Sequence, residues 1–150
     1  MSKILILNGP NLNLLGEREP QIYGHATLPQ VEERCKIAGS RLGLDVDFRQ
    51  SNHEGQLVDW IQEARKTVAA IVFNPAGYSF TSVAILDALK ASKLPIIEVH
   101  ITNIHRREPM YHKSYVSLAA IGVICGLGPF GYDAALTFLA EHLGSERAPG

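Results

Sequence analysis

Apolar residues fall along this chain in two alternating rhythms. Short, nearly continuous apolar runs of strand type are followed by longer stretches in which apolar side chains recur every three or four positions. That alternation is the pattern of a parallel sheet covered by helices on both faces. The runs predict strands over Ile4–Asn8, Leu44–Arg49, Ala69–Asn74, Ile96–His100 and Ile121–Cys125. Between them, Thr27 is placed to cap a helix whose buried face carries Val31, Cys35, Ala38 and Leu42. Leu57, Ile61 and Ala64 mark a second helix, Val83, Ile85, Leu86 and Leu89 a third, and Gly131–Leu143 a fourth. The tail from Ser145 to Gly150 lacks apolar anchors and is expected to fray.

Five strands joined by right-handed crossovers predict an α/β, flavodoxin-like three-layer fold, a five-stranded parallel sheet in the order 2-1-3-4-5. In such a sheet, ligands gather beyond the carboxyl ends of the strands. The polar residues fall there: Asn11, Arg18 and Tyr23 after the first strand, Ser51, Asn52 and His53 after the second, Asn74 after the third, and His100, Thr102 and Asn103 at the fourth. The segment Gly9–His25 is long and non-periodic, with Gly16, Pro20 and Gly24 among polar residues, and reads as a lid.

Composition narrows the possibilities further. At 150 residues the chain is expected to form one domain. Its formal net charge is −1 and its basic residues form no stripe, so a nucleic-acid partner is not expected. The apolar stretch Ile4–Leu7 is too short for a signal-peptide core, and no run approaches a membrane span, which predicts a cytoplasmic location without membrane contact. Cys35 and Cys125 have no Cys or His nearby at metal-ligand spacing and are expected to pack as small hydrophobes.

Chemistry is suggested at two places. A tyrosine, with a pKa near ~10, is a poor base at neutral pH, but a nearby guanidinium favours its phenolate. Arg18 could therefore activate Tyr23, although spacing alone fits better a half-buried loop aromatic beside a solvated charge. On the fourth strand, period-2 alternation puts Glu98 on the same face as His100, where a carboxylate can orient an imidazole and keep it protonated. That pair reads either as a functional dyad or as a satisfied structural histidine. Asn11 and Asn13 offer neutral donors suited to an enolate oxygen, while Gly9-Pro10-Asn11 lacks the lysine and glycine spacing of a phosphate loop. His53, His105 and His112 form no zinc motif, so neither metal nor nucleotide is inferred.

Four strings together resemble the type II 3-dehydroquinate dehydratase family: ILNGPNLNLLGEREPQIYG from Ile6, QSNHEGQLVDWI from Gln50, EVHITNIHRRE from Glu98 and GVICGLGPFGY from Gly122. The resemblance spans nearly the whole chain. It implies a homo-oligomer of trimers assembled into a dodecamer, with no metal, Schiff base or other cofactor, acting on a small hydroxy-ketone carboxylate. On matching positions it implies Tyr23 as base, Arg18 as its activator, His100 as acid, Glu98 as the partner that steadies the acid, and Asn11 as holder of a water against the enolate oxygen. Asn74 and Gly77 match substrate contacts, and Ile101 and Thr102 match a carboxylate-binding turn. Asp87 matches an acidic group that acts across a subunit boundary.

The sequence departs from that pattern twice. NPAGYSFTS from Asn74 puts Phe80 where the family usually has His, and Tyr111 stands where it usually has Arg. Three outcomes follow. The chain is an ordinary dehydroquinase in which Tyr111, Arg106 or Arg107 compensates; or it runs the same elimination on a less hydroxylated substrate; or it is a binding protein on the same fold.

Overall fold

The computed structural model describes residues 1–147. Five strands, β1 (Ser2–Asn8), β2 (Leu44–Gln50), β3 (Ala70–Asn74), β4 (Ile96–His100) and β5 (Gly122–Cys125), form one sheet in the order β2-β1-β3-β4-β5, and every pairing is parallel. The order and the strands agree with the expectation to within a residue or two at each end. Among the described residues, α1 (Pro20–Tyr23), α2 (Leu28–Arg41), α3 (Glu54–Thr67) and α4 (Val83–Ser92) lie in the connections, and α5 (Phe130–Arg147) follows the last strand.

Central strand β1 shows why the runs are apolar throughout. Its alternate residues Ile4 and Ile6 enter a core with Val31 and Cys35 of α2 and Tyr132, Ala135, Leu136 and Leu139 of α5. The intervening Leu5 and Leu7 enter a second core with Leu57 and Ile61 of α3 and Ile85 and Leu89 of α4. A period of two thus divides one strand between two cores, and each fully buried Leu or Ile contributes roughly 1.5–3 kcal/mol. On β4 the α2/α5 face is apolar, with Ile97 and Val99, whereas the other face runs Ile96, Glu98, His100. Two polar groups therefore replace core side chains at the carboxyl end of an inner strand.

Helix α2 starts as predicted. The Thr27 hydroxyl accepts from the Gln30 backbone amide at 3.4 Å, and the Gln30 side chain accepts from the Thr27 amide at 3.0 Å, a reciprocal capping box. Thr27→Ala is expected to lower stability by about 1 kcal/mol, read as an earlier urea midpoint with an unchanged slope.

Three features differ from the expectation. The lid is not structureless, because Leu12 and Leu15 are buried and pin a 3-10 turn, and Pro20 starts the single-turn α1. Strand β5 is an edge strand, so Cys125 is only half-buried while Cys35 is fully buried; burial pushes the Cys35 thiol up to about 12. Ile121 and Val123 beside Cys125 are exposed. Finally, α5 starts at Phe130 and runs past its expected end at Leu143 to Arg147, and positions 148–150 of the expected tail lie outside the described residues. No helix among the described residues is long and apolar enough to cross a membrane.

Candidate active site

Beyond the carboxyl ends of β1, β3 and β4 lies a cleft of about 150 Å³. Its floor is made where two turns meet. The Gly9 amide donates to the Asn74 carbonyl at 2.8 Å, and a Cβ on Gly9 would stand 2.3 Å from the Pro75 carbonyl oxygen, so only glycine fits. Asn11 follows in the left-handed region, with φ 69°, and its amide donates to Asn52 Oδ1 at 2.9 Å. Asn52 is braced in turn, since Gln50 Nε2 donates to its side chain at 3.1 Å and the Tyr78 hydroxyl donates to its carbonyl at 2.7 Å. The turns after β1, β2 and β3 are thereby locked together.

At the end of β4, His100 Nε2 is hydrogen-bonded to Glu98 Oε2, and the Ser117 hydroxyl donates to Glu98 Oε1 at 2.6 Å. Glu98 is wholly buried beneath His100. Burial pushes its carboxyl up, but the hydrogen bond and charge of His100, aided by Ser117, outweigh that and hold it below the usual carboxylate range. The stability that Glu98 contributes through its lowered pKa is accordingly present above the ordinary carboxylate range and lost as pH falls through the lowered value.

The lid brings Tyr23 into the same cleft. The Arg18 guanidinium carbon lies 5.1 Å from the Tyr23 ring centroid. Arg107 Nη1 donates to the Tyr23 hydroxyl at 3.2 Å, with its own guanidinium carbon 5.7 Å from that ring and 4.0 Å from the Tyr111 ring. His112 Nε2 bonds the Arg107 carbonyl at 2.6 Å and ties down the turn that carries this arginine. Phe80 stands edge-on to Tyr111, with centroids 5.3 Å apart, and stacks at 6.3 Å from the His100 ring. Tyr23, Arg107, Tyr111, Phe80 and His100 form a continuous wall.

Of the sequence-predicted residues, Asn11, Arg18, Tyr23, Asn74, Gly77, Phe80, His100, Ile101, Thr102 and Tyr111 all line this cleft. Glu98 lies directly behind His100, whereas Asp87 is exposed on α4 and does not line it. Sequence reasoning undervalued Arg107 and did not single out Ser117 or Tyr132, the last of which bonds Asn74 from within the core. Tyr132 did end one of the matching strings; Ser117 carried no signal. Among the described residues no group of three or more His, Cys, Asp or Glu side chains could hold a metal. A larger groove of about 480 Å³ between α2 and α5 has Arg34 and Asp133 paired at 2.8 Å and is lined by no tyrosine or histidine.

The model of the family described as Dehydroquinase class II matches residues 2–140. The chain belongs to that family. It is a dehydratase, a hydro-lyase acting on a small molecule. It is 57% identical over 145 residues to a 3-dehydroquinate dehydratase 2 of Pseudomonas putida, covering 97% of each chain. A 3-dehydroquinate dehydratase of Mesorhizobium japonicum is also 57% identical, over 95% of this chain and 100% of that protein. The crystal structure of type II dehydroquinase from Propionibacterium acnes superposes with a TM-score of 0.91 at 47% identity, covering 94% of this chain and 97% of the other. Fold and family thus coincide over the same residues that build the cleft.

Proposed function

We propose that the enzyme removes water from 3-dehydroquinate by anti elimination through an enolate, giving 3-dehydroshikimate. The observation that carries this is the convergence of Tyr23, Arg18, Arg107 and the Glu98-supported His100 on one cleft. Tyr23, as phenolate, takes the proton from the carbon beside the ketone, and the two guanidiniums stabilise its charge. The electron pair moves onto the ketone oxygen, where a water held by Asn11 meets the developing enolate. His100 has Nε2 committed to Glu98 and uses its other ring nitrogen to protonate the departing tertiary hydroxyl. Asn74 contacts that hydroxyl, Gly77 adjoins the ring, and the turn at Ile101 and Thr102 binds the carboxylate. The enolate collapses, the carbon–oxygen bond breaks, and water leaves with an enone behind it. No step calls for a metal or an organic cofactor.

The enzyme works as a cytoplasmic homo-oligomer, a dodecamer assembled from trimers. Exposed Asp87 and the uncovered apolar edge at Ile121 and Val123 support assembly with other copies. In that assembly Asp87 serves a neighbour's site.

A second reading has its own observation. Phe80 and Tyr111 replace groups that would grip ring hydroxyls, and an unpartnered polar group in a closed site costs about 1–3 kcal/mol. On that reading the elimination is unchanged but the preferred substrate is less hydroxylated opposite its carboxylate. The Arg107 guanidinium, 4.0 Å from the Tyr111 ring, supports the first reading because it keeps a cation where the lost one is missed.

Turnover of 3-dehydroquinate, followed by the rising enone absorbance, decides between them. A kcat of at least ~1 s⁻¹, unaltered by a chelator, is expected. Failure to form enone, together with a gain of about a hundredfold or more in kcat/KM when Phe80→His and Tyr111→Arg are combined, would establish the second reading.

A further inference from the structure

Tyr132, in the first turn of α5, is fully buried and does not line the cleft, yet its phenol is a link in a chain of hydrogen bonds that ends there. The Ala76 amide donates to Asn74 Oδ1 at 3.2 Å, Asn74 Nδ2 donates to the Tyr132 hydroxyl at 3.1 Å, the hydroxyl donates to Asn8 Oδ1 at 2.7 Å, and Asn8 Nδ2 donates to the Arg49 carbonyl at 3.1 Å. The direction of every link is forced. A backbone N–H at one end can only donate and a backbone carbonyl at the other can only accept, so neither amide can flip without breaking a bond at both of its ends. Burial pushes the phenol's pKa up, so it remains a neutral donor throughout the working pH range. Only one of the two Nδ2 protons of Asn74 is taken up among the described residues, and Asn74 lines the cleft.

We infer that Tyr132 is a positioning residue for the elimination, its phenol fixing the Asn74 amide so that an N–H, not an oxygen, is presented to the departing hydroxyl. The inference rests on the proposed contact between Asn74 and that hydroxyl. It assigns work to the last residue of the GVICGLGPFGY string, which touches no reacting atom. The phenol acts from behind the site, as supporting groups do when they lock a contacting side chain in one rotamer.

A double-mutant cycle tests it. Tyr132→Phe is expected to lower kcat about tenfold or more with KM nearly unchanged, because a misplaced contact is felt chiefly in the transition state. In an Asn74→Ala background the same change should alter kcat less than about twofold, while the fall in unfolding midpoint persists in both backgrounds. A purely structural role would instead lower kcat equally in the two, and that result overturns the inference. A folded Tyr132→Phe enzyme with full kcat overturns it too. Should Tyr132→Phe fail to fold, Asn8→Ala removes the acceptor of the phenol's proton and is expected to lower kcat severalfold, again only when Asn74 is present. A readout independent of turnover is the side-chain amide resonance of Asn74 in ¹⁵N-labelled protein. It should shift on Tyr132→Phe, and an unmoved resonance sinks the inference even if 3-dehydroquinate proves not to be the substrate.

Discussion

Replacing Tyr23 with phenylalanine is expected to abolish exchange of the proton beside the ketone of 3-dehydroquinate and to lower kcat about 10²–10⁴-fold. Only the hydroxyl is removed. The ring stays near the guanidiniums of Arg18 and Arg107, whose carbons lie 5.1 and 5.7 Å from its centroid, so the lid keeps its packing and the single bond lost is the one from Arg107. Thermal stability should move little, since a part-buried hydrogen bond is worth about 0.5–1.5 kcal/mol. Exchange is measured by incorporation of deuterium from the solvent in the absence of net turnover. Rapid exchange in the variant would remove Tyr23 as the base, whatever its effect on the overall rate.

His100→Ala should separate the two halves of the reaction. Proton exchange at the ketone-adjacent carbon is expected to survive at a reduced rate, because Tyr23 and both arginines remain, while loss of water falls about 10²–10⁴-fold. This substitution also has a structural cost. Glu98 is fully buried and keeps neutral serine hydroxyls, Ser117 above all, but no cation once the imidazole is gone. An orphaned buried charge costs roughly 3–5 kcal/mol, unless the carboxyl takes up a proton instead. The variant should therefore be less stable near neutrality and regain part of the loss as the pH is lowered, opposite in sign to the wild-type pair. Unfolding midpoints at two pH values check that inversion. An enzyme that loses exchange and water loss together would show that His100 supports Tyr23 rather than the leaving group.

What the sequence reveals about this fold follows from how near its causes lie along the chain. Apolar runs such as Ile4–Leu7 and Ile96–Ile97 announce strands because every residue in them faces one of two cores. Thr27 and Gln30 announce a helix start because their bonds span three positions. The Glu98–His100 pair is visible for the same reason, being two residues apart on one strand face. Arg107 and Tyr23 are 84 positions apart, and Tyr132 and Asn8 are 124. No local periodicity relates such residues; only the crossover topology carries them to one end of the sheet. The exposure of Ile121 and Val123 was hidden by a similar limit, since an apolar run does not state whether its strand will be flanked on both sides.

The contact between Gly9 and Pro75 has a wider consequence. Main chain meets main chain there, so the turns that carry Asn11 and Asn74 are joined by backbone and not by the side chains at the rim. Positions 80 and 111 lie outside that junction, but Phe80 stacks on the His100 ring and Tyr111 on the Arg107 guanidinium, so exchanges there reach the reacting groups as well as the ligand. Selectivity and chemistry are therefore coupled at the rim, and a library restricted to those two positions should change turnover together with ligand preference.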